Sequence, residues 1–355
     1  MKQFNFLELT NFRFSFRKII LSLFILYFGY SSAQNYRNAK AYIMDFGKNE
    51  LFVKESLMEY SISIIDASPQ ERIESTLERI YVKLEDINET LLRNDRGVFG
   101  DLDLRNSFMR LNSKTITLLK NKSLKLNDYS VQSNLDYSEI FKNFAYKESE
   151  IAKYYAEILA YESTKKDFGL KYNILIRAFD RTNVFEYDAY QNLIFYKLNI
   201  LDVKLMDLLK GKDVTKVTEC MNFITSVGEE SFTKTEQMKD DFKDTSLNDV
   251  NKELITFILK QKEDVIAYYE EYVKVDAAFQ KVKLEFVEKN DIVSVEQYNV
   301  EVRKFNEAKN NFYDNLYKVQ LNKKALLDKW YFTNSDFLKR NVEFDNLYEK
   351  YSNVD

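Results

Sequence analysis

Turn-forming residues are scarce in this sequence, and their scarcity limits the fold more than any other feature. In 355 residues there is one Pro, Pro69, and there are seven Gly. Strand-rich and mixed folds consume both residue types in tight turns. A chain with so few can make few turns. Hydrophobic residues at 45% and charged residues at 30% suit long amphipathic helices around real cores. The expectation is an all-α fold, an elongated helical bundle of two related halves with long coiled-coil-like helices. The length accommodates about two domains of about 150 residues. We place an N-terminal bundle over 34–170 and a C-terminal bundle over 171–355, the latter containing a long antiparallel helix hairpin.

Periodicity supports that reading. The longest apolar stripe alternates steps of four and three through Leu254, Ile258, Gln261, Val265, Tyr268, Tyr272, Val275, Phe279, Val282 and Phe286. A second runs through Tyr298, Val302, Phe305, Lys309, Phe312, Leu316, Val319, Lys323, Leu326 and Trp330. A third runs through Tyr137, Phe141, Phe144, Glu148, Ile151, Tyr155 and Ile158. The short Lys289–Val293 segment between the first two predicts an antiparallel hairpin. Aromatic stripes at this spacing are expected to be core. In the adjacent pairs Tyr154-Tyr155 and Tyr268-Tyr269, one ring of each should approach the edge of the buried face, because neighbours on a helix point about 100° apart. Ser68-Pro69-Gln70-Glu71, Ser294-Val295-Glu296-Gln297 and Asp213 read as helix starts.

The first 33 residues read as an address. Arg13, Arg17 and Lys18 precede the uncharged run Ile19–Tyr30, and Ser31-Ser32-Ala33 follows with small residues suited to cleavage before Gln34. That run is too short for a bilayer, which needs about 20 apolar residues. We therefore expect a secretory signal peptide over 1–33 and no transmembrane segment in the mature chain. Cleavage removes four basic residues and one acidic one, so the mature chain is more acidic than the net −4 of the whole. An acidic body is ill suited to clustering positive charge against phosphate, and no nucleic-acid partner is expected.

Residue counts also narrow the chemistry. With no His, there is no imidazole for nucleophile activation, zinc ligation or a switch near neutral pH. Cys220 is the sole cysteine and has no partner for a disulfide or a Cys-x-x-Cys pair. It shares a helical face with Val217, Ile224 and Val227 and reads as core. Neither phosphate-binding glycine motif occurs. Met44, Met58, Met109, Met206, Met221 and Met238 are scattered and make a poor ligand set. No cofactor, metal or catalytic residue is assigned. Paired carboxylates such as Glu148/Glu150 or Glu270/Glu271 keep a glycoside-hydrolase reading open. Glu148, on an apolar stripe, is expected to pair with a Lys.

A shift of 143 residues aligns the chain with itself. Leu51, Phe52 and Lys54 fall on Ile194, Phe195 and Lys197; Leu77, Ile80 and Leu84 fall on Cys220, Phe223 and Val227. Phe99-x-Asp101-x-x-Leu104 falls on Phe242-x-Asp244-x-x-Leu247. At each junction the Phe is expected to plug or staple, while Asp101/Asp103 and Asp244/Ser246 accept from free N–H groups of the next helix. A calcium site there has too few oxygens.

With its export signal, its Phe99-Gly100-Asp101 and Phe242-Lys243-Asp244 junctions, its long Tyr298–Trp330 helix and its closing Phe337-Leu338, the chain resembles a family of exported helical bacterial surface proteins of uncharacterised function. The resemblance spans roughly residues 38–342. It implies an envelope or surface location and no activity. The reading is a non-enzymatic interaction or structural protein, periplasmic, surface-bound or extracellular. Its partner is a protein, an envelope glycan or a second copy of itself. The alternative is a carboxylate-dependent hydrolase acting on envelope glycans.

Overall fold

A computed structural model describes residues 34–36, 38–66, 69–121, 132–176, 183–288 and 294–342. The export segment 1–33, Ser68 and the hairpin connection 289–293 lie outside the described residues. The fold is all-α. Helices α1 (Ala39–Ile65), α2 (Gln70–Asn94), α3 (Asp103–Lys120) and α4 (Tyr137–Lys171) form the first half. The second comprises α5 (Val184–Leu208), α6 (Val214–Gln237), α7 (Ser246–Gln261), α8 (Ala267–Glu288) and α9 (Val295–Asn341). A π-helical turn, Lys262–Ile266, joins α7 to α8. The only sheet among the described residues is a parallel pair, β1 (Gln34–Tyr36) with β2 (Asp95–Val98), which the sequence did not announce.

Capping residues explain most helix starts. Asn38, Asp136, Asn183, Asp213 and Ser294 each accept from free N–H groups of the first turn. Ser294 Oγ accepts from the Gln297 N–H at 3.1 Å, as its sequence context predicts. Pro69 stands immediately before Gln70, where its missing N–H costs nothing.

The 143-residue offset extends to the element boundaries. It carries α2 onto α6 and the first residue of α3 onto the first residue of α7. It carries the end of α1 onto the end of α5. Within the first half, α2 turns one face inward, Ile73, Leu77, Ile80, Leu84 and Ile87, and packs against α1 and α3. In the second half α5 is the axis. Fourteen of its 25 side chains are buried, because α4, α6, α7 and α9 all pack on it.

Two expectations need correction. Tyr154 and Tyr155 are both buried. Helix α4 is clamped between α3 and α5, so it has two inward faces: Tyr154 bonds the Thr115 hydroxyl on α3 at 2.9 Å, and Tyr155 turns towards Asp188 on α5. On the longest stripe, Tyr269 is buried and Tyr268 is 41% exposed. The π turn accounts for this. It inserts one residue into the helical repeat, so Val265 and Ile266 both reach the core and the seam re-enters at Tyr269.

Candidate functional site

Each half closes on an acidic clasp. Asp101 Oδ1 accepts from the Asp103 N–H at 3.0 Å, and Asp244 Oδ1 accepts from the Ser246 N–H at 3.1 Å. The second oxygen is held from the far end of the half. Lys171 Nζ (2.7 Å) and the Tyr172 hydroxyl (3.0 Å) donate to Asp101 Oδ2. Asn341 (2.7 Å) and Arg340 (3.2 Å) hold Asp244 Oδ2. Partial burial works against each carboxylate, but these donors outweigh it and hold both below the usual Asp range.

The clasping residues reveal a match that the 143-residue shift misses. Thr164-x-x-Asp167-Phe168-x-x-Lys171 on α4 recurs as Thr333-x-x-Asp336-Phe337-x-x-Arg340 on α9, now at an offset of 169. The same offset places Tyr161 on Trp330, and both are fully buried. The additional length lies in α8 and the start of α9. Its sequence signal was the change of offset between the third and fourth helices.

The two junctions differ in their phenylalanines. Phe242 packs inward against Tyr187 (4.7 Å) and Phe337 (5.6 Å), as expected. Phe99 does not plug its junction. It sits in the left-handed region at φ 52°, is 76% exposed and leans on Tyr172 at 6.1 Å. The turn leading to it is fixed. Gly97 has φ 73°, and a Cβ there would fall 1.9 Å from the Asp101 carbonyl oxygen.

Inside the second half lies a polar core. Gln191 bridges to Asn248 (3.0 Å) and Asn251 (2.5 Å), and Trp330 Nε1 donates to Asn251 at 2.7 Å. Asn334 donates to Asn192 at 2.8 Å. Lys323, one of the two Lys on the α9 stripe, is buried beside Asp202, which also accepts from Gln261 at 2.6 Å. Burial lowers the Lys323 ammonium to about 8. Asp188 is buried without a partner for Oδ1, and desolvation raises its carboxyl to about 7, against a weaker opposing contribution from Asn192.

Of the carboxylates singled out in the sequence, Glu148 lines a small cleft of about 50 Å³ with Glu230, where Lys197 and Lys234 pair with the acids; Glu150, Glu270 and Glu271 do not line it. Glu148 pairs with Lys234 at 3.0 Å and is 45% exposed, so the expected Lys pair forms in partly solvated surroundings. Glu150 pairs with Lys153 and Glu271 with Lys274, while Glu270 is exposed. Cys220 is fully buried, its thiol pushed up by desolvation. Among the Met residues, Met221 is buried and Met44, Met58, Met206 and Met238 pack at the margins of the hydrophobic clusters.

Helices α8 and α9 build an arm. Rings alternate across their seam as a ladder: Phe286 on Tyr298 (4.5 Å), Phe279 on Phe305 (4.9 Å), and Tyr272 on Phe312 (5.5 Å). Rungs recur every seven residues on both helices, running in opposite directions. None of the described side chains between 277 and 311 is buried. At the distal end Leu284 (58% exposed), Val287 (70%) and Val295 (65%) face solvent around the Phe286–Tyr298 rung.

Neither protein-family models, nor curated proteins, nor solved structures give a match to this chain. The functional reading therefore rests on its own geometry. Among the described residues, no helix is long and apolar enough to cross a membrane.

Proposed function

We propose that this chain is a non-enzymatic, exported interaction protein of the bacterial cell envelope or surface, and that the arm is its contact element. The observation that carries the reading is the arm itself. A two-helix projection spends its rings on holding its own helices together and leaves three aliphatic side chains in water at the tip. Clustered exposed apolar residues mark contact sites on soluble proteins. The signal pattern over 1–33 and the resemblance to exported helical surface proteins support the location. The partner is a protein that offers an apolar recess to Leu284, Val287 and Val295.

The test places a photo-crosslinking residue at Val287 in the full chain, expressed in a bacterial host that exports it. One identified envelope protein is expected to be captured in a fixed ratio. Capture should be lost in the Leu284→Asp/Val295→Asp variant while circular dichroism stays helical. Equal cross-linking by parent and variant would refute the arm as contact element. A mature N-terminus other than Gln34 in the exported material would refute the signal assignment. Turnover of an envelope glycan or peptide by the purified protein would refute the non-enzymatic reading.

A further inference from the structure

One side of the arm is laid out symmetrically. Along α9, Val295, Asn299, Asn306, Tyr313 and Tyr317 follow one another at steps of four, seven, seven and four. At about 100° per residue, these five fall within about 40° of one another on the helix surface. All five are exposed, Tyr317 at 62%. None is charged, although seven charged residues lie between 295 and 317. The nearest of those, Lys309 and Arg303, stand about 40° off on either flank, and Lys309 lies over the Phe305 ring.

The ring ladder fixes where this row lies on the arm. Phe286 stands on Tyr298, Phe279 on Phe305 and Tyr272 on Phe312, so the two helices face each other and run antiparallel. On such a pair, residues displaced in the same rotational sense from the seam lie on one side. Leu284 and Val287 are displaced from the Phe279–Phe286 line in the sense in which Val295, Tyr313 and Tyr317 are displaced from the Phe305–Phe312 line. The aliphatic tip and the tyrosine pair therefore share one side of the arm, one at each end, and Asn306 is midway between Val295 and Tyr317. From Val295 to Tyr317 the row is about 33 Å long at 1.5 Å per residue.

A row that reads alike from both ends is complementary to a second copy of itself. We propose that this side of the arm pairs with the same side of a second copy, the two α9 helices lying antiparallel about a twofold axis at Asn306. The inference rests on the reading of the arm as contact element and names its partner. Val295 then packs on the partner's Tyr317, and the Asn299 carbonyl accepts from the hydroxyl of the partner's Tyr313. Asn306 meets its own copy amide to amide, as a single Asn in a coiled-coil seam fixes register. Charge favours this occupant. The chain has a net charge of −4, so two copies repel unless they close where no carboxylate is buried. A charged partner surface would find no counter-ion along the row. The contact is one helix wide, about 11 Å, and covers about 400 Å² per copy. That footprint suits reversible association rather than a permanent dimer.

The test places single cysteines on the exposed row of the full mature chain, in which the native thiol, Cys220, is fully buried. Under mild oxidation Asn306→Cys should form a disulfide-linked dimer. Asn299→Cys alone should not, because its two copies would stand about 20 Å apart, yet it should link to Tyr313→Cys when the two variants are mixed. Sedimentation equilibrium of the parent should show reversible monomer–dimer association. Asn306→Asp, which sets two carboxylates against each other, should weaken it about tenfold or more. Lys304→Gln, on the opposite side of α9, should leave it unchanged. Three outcomes would overturn the proposal: the parent stays monomeric at high micromolar concentration; Asn306→Cys forms no dimer; or Asn299→Cys links to itself as readily as Asn306→Cys does. Capture of a different envelope protein at Val287 by a chain that stays monomeric would remove this inference and leave the arm's contact role standing. Loss of both the dimer and the cross-link would remove both.

Discussion

Tyr161 in the first half and Trp330 in the second occupy the same place on their closing helices, yet their surroundings are built differently. Trp330 stacks flat on Phe195 at 3.4 Å and donates to Asn251, deep among amides. Tyr161 donates to Glu50 at 2.5 Å, and Glu50 is held in turn by Lys165 at 3.1 Å. At the position of Lys165 the second half has Asn334. One helical plan thus supports a Tyr–Glu–Lys set at this place in one half and a Trp–amide set in the other. At this place in both halves the inward polar groups are partnered, which matters because an unpaired one costs about 1–3 kcal/mol. The second copy wraps α5 on every side, whereas α1 in the first is half-buried along most of its length.

The comparison can be tested by denaturant unfolding of paired variants. The largest loss is expected for Trp330→Ala, about 3–5 kcal/mol for a fully buried aromatic. Tyr161→Phe should cost only about 1 kcal/mol, because Lys165 still pairs with Glu50. Equal losses would mean that the two cores are not different in kind. Asp202→Ala should come next, at about 3 kcal/mol or more, because it strands the Lys323 ammonium. Replacing both partners, Asp202→Leu with Lys323→Met, should recover most of that loss. Phe242→Ser should cost about 2 kcal/mol, while Phe99→Ser stays within about 0.5 kcal/mol. A substantial loss at Phe99 would show that the ring is not as free as its exposure indicates.

Asp188 gives a pH-dependent version of the test, with the smallest effect in acid. Its folded carboxyl, at about 7, lies above its ordinary value of 3.8. Between those values the folded state holds the proton more tightly than the unfolded one, so stability falls as pH rises through that window and is level above it. Asp188→Asn removes the dependence. It should stabilise the protein little at pH 4.5 and most at pH 8, by at most about 4 kcal/mol given about 1.4 kcal/mol per pKa unit. A gain independent of pH would show that Asp188 is solvated.

The helices, their caps at Asp213 and Ser294, and the repeat through α3 and α7 were legible in the sequence, because periodicity and capping are local signals. Three features were not. The π turn has no capping residue and only shifts a stripe by one position, from Tyr268 to Tyr269. The two-faced burial of α4 depends on neighbours distant in sequence. The residues that complete both clasps lie on a second offset, 169 rather than 143, which the chain brings beside the first only when folded. The tip of the arm was only partly foreseen. The hairpin was readable from its stripes, whereas the exposure of Leu284 and Val295 follows from where the body ends.

The rungs of the arm recur with a seven-residue step on both helices, and none of its distal side chains is inserted into the body. Its reach is therefore separable from the stability of what carries it. Adding or removing one rung on each helix would move the tip by about 10 Å at 1.5 Å per residue while both clasps stay shut. A protein built this way can match the distance to its partner without redesigning its core.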